Sequence, residues 1–218
     1  MRSSFILVFA LCVALVATGC GEGESGSSNE PGGDDIGQDA GSLDAQGSED
    51  TLSEPIAVPF AVDDYFSPSG FEGVGETGIE ASLDCPSRPS NAVGECHAFT
   101  LNPTEENAGG GVWWQYPDGN SGDTELEGRR IAPGAQTVRF HAWSQSGGEN
   151  VSFKVGMEGI DSFSEGLDLV LTDTPTEYLI HIGQHEYETV IGAFSWAIDS
   201  ETSVSFFVDN ITWSDVAP

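Results

Sequence analysis

From Pro55 to the end of the chain, short runs of alternating, β-branched and aromatic residues are cut by clusters of Gly, Pro, Asn and Asp, and no long segment keeps a 3.6-residue apolar period. Such a chain can bury its apolar groups only by pairing strands and packing sheets. The runs at 56–62, 78–83, 96–101, 112–116, 137–144, 150–158, 167–171, 177–182, 190–198 and 203–213 are the predicted strands. Short strands separated by long turns predict an all-β domain over 55–218, a two-sheet antiparallel sandwich of the jelly-roll type. They argue against a parallel βαβ architecture.

Alternation assigns faces to several of these runs. In 137–143, Val138, Phe140 and Ala142 point one way and Arg139, His141 and Trp143 the other, while in 151–158 Val151, Phe153, Val155 and Met157 alternate with Ser152, Lys154, Gly156 and Glu158. The run 204–213 is largely apolar on both faces, which predicts a central position in its sheet. At 113–114 one tryptophan must point inward and the other outward, and the sequence does not say which.

The charge of the chain excludes two classes of partner. Its net charge is -30 and Lys154 is its single lysine, so little could replace the counterions around nucleic-acid phosphates or form a polybasic membrane patch. Self-repulsion on this scale favours bound cations or a salty medium. Residues 1–19 read as a signal peptide, with Arg2 at the positive start and an apolar stretch too short to span a bilayer stably. The closing Ala17-Thr18-Gly19-Cys20 resembles the bacterial lipobox, with alanine where leucine is usual. That resemblance implies lipidation of Cys20 and a cell-envelope location in which the lipid is the only membrane contact. Residues 20–54 form a predicted disordered acidic linker: from Gly21 to Glu54 there are ten acidic side chains, no Lys or Arg and almost no large apolar group. With Cys12 in the leader and Cys20 lipidated, Cys85 and Cys96 remain as a pair, and an oxidising compartment predicts a disulfide between them.

Several segments, in order, carry a resemblance: Phe66-Ser67-Pro68-Ser69-Gly70-Phe71, Gly94-Glu95-Cys96-His97, Gly111-Val112-Trp113-Trp114-Gln115-Tyr116-Pro117, Ile131-Ala132-Pro133-Gly134-Ala135, and the closing Phe206-Phe207-Val208-Asp209-Asn210-Ile211-Thr212-Trp213. Together they resemble the galactose-binding-like β-jelly rolls found as carbohydrate-binding modules. The resemblance implies a polysaccharide partner and, in many members, a structural calcium held where the first and last strands meet. Asp209 falls at the position resembling the family's metal aspartate, Asp63 or Asp64 could face it, and Asn210 stands where a second aspartate is frequent.

Sugar rings present flat C–H patches to aromatic faces and hydroxyls to polar side chains. A binding face therefore needs exposed rings beside Asn, Gln, Asp or Arg. Two groups qualify, Trp113, Trp114 and Tyr116 on one strand and Arg139, His141 and Trp143 on another; the alternative is that these rings pack beneath loops or between sheets, as tryptophan commonly does. Nothing in the sequence singles out a catalytic pair. Carboxylates are too many for spacing to select two, no Gly-x-Ser-x-Gly elbow occurs, and His97, His141, His181 and His185 lack a recognisable nucleophile partner. The expectation is a non-catalytic, lipid-anchored domain that binds extracellular or cell-wall polysaccharide. The competing reading is a structural or adhesive envelope domain whose partner is protein.

Overall fold

A computed structural model describes residues 54–74, 78–103, 109–122 and 126–218. The expectations for the leader, Cys20 and the linker up to residue 53 lie outside the described residues.

The described residues form thirteen strands: β1 (Phe60–Ala61), β2 (Ser67–Val74), β3 (Gly78–Ser82), β4 (His97–Asn102), β5 (Gly109–Gln115), β6 (Arg129–Arg130), β7 (Thr137–Ser144), β8 (Asn150–Val155), β9 (Glu165–Val170), β10 (Thr176–His181), β11 (Thr189–Val190), β12 (Gly192–Asp199) and β13 (Val204–Ser214). One short 3-10 turn, Val62–Asp64, follows β1. Strands β10, β7, β13, β4 and β3 make one sheet, with β1 joined to β13; β2, β5, β12, β8 and β9 make the other, and β6 pairs with β11 apart from both. Every pairing within these sheets is antiparallel. The chain passes repeatedly from one sheet to the other, as a jelly roll does.

The core lies between the two sheets and is rich in aromatic rings. Phe140 of β7 reaches across to Phe153 and Phe194 at centroid separations of 4.7 and 5.0 Å, and Trp196 of β12 meets Phe99 and Phe206 at 4.9 and 4.8 Å. Burying each such ring contributes about 1.5–3 kcal/mol, so the two sheets are held face to face chiefly by this layer. The apolar run 204–213 does occupy the middle of its sheet, between β7 and β4.

Strand β2 falls outside the predicted runs. Pro68 cannot donate to a ladder and Gly70 and Gly73 offer no side chain to pack, which together weaken the strand signal. The structure accommodates the proline by placing β2 at a sheet edge, with a register shift between Pro68 and Gly70.

Candidate functional site

A sandwich has two outward faces, and here they differ. On β5, Val112 and Trp114 point inward and have no exposed surface, which turns Gly111, Trp113 and Gln115 outward. The inward indole is satisfied, since Trp114 Nε1 donates to Asp63 Oδ1 at 2.9 Å. Trp113 is half-buried and leans back along its own strand. A Cβ placed on Gly111 would lie 2.7 Å from Trp196 O and 3.3 Å from the indole's Cη2 and Cζ3, so glycine at 111 is set first by the pairing with β12 and also leaves the ring room close to the sheet.

Register sets the neighbours of this indole. Gly70 of β2 and Ser195 of β12 stand directly opposite Trp113, and Ala197 stands opposite Gly111. One strand further, Lys154 is opposite Ser195 and Ser152 is opposite Ala197; beyond them on β9 come Gly166 and Asp168. The result is one large ring with small residues on its β12 side, the Gln115 side chain lying over Gly70 on its β2 side, and polar groups at the far side. Ser152 Oγ donates to Asp168 Oδ1 at 2.5 Å, and Lys154 Nζ lies 3.6 Å from Glu158 Oε2. Gln115, the outward residue after Trp113 on β5, is buried and accepts a 3.3 Å bond from Ser69 Oγ, which fixes the adjoining end of β2.

Tyr116, just beyond β5, belongs to a separate group. Its ring packs edge-on against Phe66, and the Arg129 guanidinium lies over both Tyr116 and Tyr65, at 5.3 and 5.7 Å from the ring centroids. Sequence alone does not identify Tyr65 or Arg129. An aromatic beside two aspartates is the only local signal, and no pattern in the chain links residue 65 to residue 129.

The second predicted group needs correction. Strand alternation does turn Trp143 outward, yet it is only 2% exposed, because the loop closed by the Cys85–Cys96 disulfide lies over it. Trp143 stacks on Phe207 at 5.2 Å, and these rings pack with Cys96, Cys85 and Ala98 in a small core outside the main one. Arg139 is tied to Glu177 at 3.3 Å and His141 Nδ1 lies 3.4 Å from the Asn210 side-chain amide. Arg139, His141 and Trp143 therefore form no open platform. Trp114 is likewise withdrawn from any ligand, as an inward core residue.

The same loop meets two of the three predicted calcium ligands, Asp209 and Asp63. Asp209 on β13 has no exposed surface and holds the Arg88 guanidinium through both oxygens, Nε to Oδ2 at 2.9 Å and Nη2 to Oδ1 at 3.1 Å. Asp63 accepts from Glu95 N at 2.8 Å and from Trp114 Nε1, and pairs with His97 Nε2 at 2.9 Å. Asp64 is exposed at the 3-10 turn. Calcium needs six to eight oxygen ligands, whereas the groups gathered here are largely N–H donors and a cation. The donor set does not fit calcium. Among the described residues no cluster of three or more acidic, histidine or cysteine side chains could hold a metal ion.

A cleft of about 740 Å³ opens elsewhere, lined in part by Leu126, Arg130, Ile160, Asp161 and Thr189. Asp161 accepts backbone bonds from Met157, Ile191 and Gly192 at 2.8, 2.8 and 3.0 Å. Burial pushes its carboxyl above the usual range, and the three backbone donors only partly oppose that. Its oxygens are occupied in tying the 157–161 turn to β12, which makes it a latch.

No protein-family model and no curated protein matches this chain. It is similar to solved structures: the family 11 carbohydrate-binding module from Clostridium thermocellum in complex with a β-1,3-1,4-mixed-linked tetrasaccharide shares 13% identity over 73% of this chain and 95% of that chain, with a TM-score of 0.48. A family 11 module of a cellulosomal cellulase of Clostridium thermocellum gives 13% identity, 73% and 96% coverage, and a TM-score of 0.47. A family 61 module, TmCBM61 in complex with β-1,4-galactotriose, gives 16% identity, 67% and 88% coverage, and a TM-score of 0.42. At these values the likeness assigns neither a ligand nor its contact residues.

Proposed function

We propose that this domain is a non-catalytic polysaccharide-binding module whose ligand lies on the outer face of the β2-β5-β12-β8-β9 sheet. The observation that carries the reading is Trp113, a half-buried indole beside Gly111, with the small Ser195 and Ala197 next to it on β12 and the Gln115 side chain over Gly70 on the β2 side. Small neighbours on β12 leave a sugar ring room to approach the indole from that side, where Ser152, Lys154 and Asp168 supply hydrogen-bonding groups. Tyr116, with Tyr65 and Arg129, offers a secondary aromatic contact at the end of β5. The reading of Ala17-Thr18-Gly19-Cys20 as a lipidation site would hold the module at the cell envelope, where extracellular or cell-wall glycans are accessible. Loss of detergent-phase partitioning on Cys20→Ser tests that anchor.

Affinity electrophoresis through gels carrying glucans, xylans or mannans tests the binding. Retardation of the wild-type protein by at least one polysaccharide, abolished by Trp113→Ala with the fold intact, is the expected result. Equal mobility in every gel, or full retardation of the Trp113→Ala protein, overturns the proposal.

A further inference from the structure

We propose that the Arg88 guanidinium is the resident cation at the buried Asp209 in the middle of β13, so that a covalent loop, and not a metal ion, locks this side of the sandwich. Asp209 is completely buried, and a carboxylate in that position must be matched by charge and hydrogen bonds or it strongly opposes folding. The match is complete on both oxygens. Arg88 meets Oδ1 and Oδ2 in a two-point fork, and the Asn210 backbone N–H donates to Oδ1 at 2.7 Å.

The fork is delivered by the loop. Arg88 lies three residues after Cys85, and its Nη2 also donates to Gly94 O, two residues before Cys96, so the guanidinium ties both ends of the loop together. Two further bonds dock the loop on neighbouring strands and turns: Val93 N donates to Asn210 Oδ1 at 2.9 Å, and Glu95 N to Asp63 Oδ2 at 2.8 Å. Asn210 takes a left-handed backbone, φ 56°, at the register shift of β13, a conformation asparagine tolerates better than most residues. Aspartate there would add a second negative charge beside Asp209. Asparagine offers a neutral acceptor to the loop instead. Thiol reduction, and not chelation, is therefore the perturbation that releases the loop, uncouples Arg88 from Asp209 and uncovers Trp143 and Phe207.

Thermal melts of the full chain, with tryptophan fluorescence as a second readout, test this. A chelator or added calcium is expected to leave the wild-type Tm unchanged, while a phosphine reductant lowers it and shifts the emission to the red. In oxidised protein, Tm is expected to fall in the order wild type, Arg88→Lys, Arg88→Met. The methionine variant keeps the apolar stem but loses the charge, and its loss is roughly 5–15 °C. A chelator that lowers the wild-type Tm, calcium that raises it, or Arg88→Met melting with the wild type overturns the proposal. Should Arg88→Met not fold, Arg88→Lys and the chelator and reductant arms on wild-type protein decide the matter by the same criteria.

Discussion

The two outward faces of this sandwich each carry an outward-turned tryptophan, and the chain treats them oppositely. Trp143 lies under a disulfide-closed loop with Phe207 beside it, whereas Trp113 lies among Gly70, Gly111, Ser195 and Ala197. Strand alternation alone makes the two residues equivalent. What separates them is the third layer: a covalent strap covers the ring of one sheet, while the indole of the other has only the small Ser195 and Ala197 beside it on β12. Outward direction on a strand therefore does not amount to availability.

Exchange of each tryptophan for alanine sharpens the contrast most. Trp143→Ala removes a ring from a closed pocket and is expected to cost about 3–5 kcal/mol, read by denaturant unfolding. A cost below about 1 kcal/mol would show that the strap does not enclose the ring. Opening the strap comes next. Replacing Cys85 and Cys96 by serine is expected to cost about 2–4 kcal/mol while leaving any polysaccharide retardation in place, because the candidate face is on the other sheet. Loss of retardation in a folded double mutant would place the ligand on the strapped face instead.

Asp161→Asn is expected to cost about 1–3 kcal/mol, because an amide must turn an N–H toward backbone donors that the carboxylate accepts. The pH dependence follows from the raised pKa. Between the ordinary carboxylate value and the raised one, the folded chain binds more protons than the unfolded chain, so the contribution of Asp161 falls as pH rises through that window and is level above it. Urea titrations across the acid range should show a steeper loss of stability with rising pH in the wild type than in the asparagine variant. The smallest stability effect is expected at the open face, where Trp113→Ala should cost about 1 kcal/mol while removing retardation. If its cost equals that of Trp143→Ala, the two faces are not distinct.

Strand directions and core faces are plain in the sequence. The 137–144 run, for example, appears with those bounds, and its Val138, Phe140 and Ala142 side all faces the main core. The disulfide also follows from cysteine arithmetic. The surface it covers does not, because the cysteine loop is remote in the chain from Trp143 and Phe207, and only the sheet order brings them together. For the same reason Asp209 could be read as an open ligand. Its partner, Arg88, is 121 residues away, and no local pattern joins them. Short-range alternation is legible, whereas what a loop comes to rest on is not.

The position of Lys154 has a practical corollary. It carries the sole side-chain amine in the polypeptide and sits in the same cross-strand row as Trp113, two strands away. Amine-reactive dyes or coupling resins will consequently attach beside the proposed binding face. Biosensor immobilisation should use another chemistry, and acylation of that amine becomes a footprint for whatever settles there.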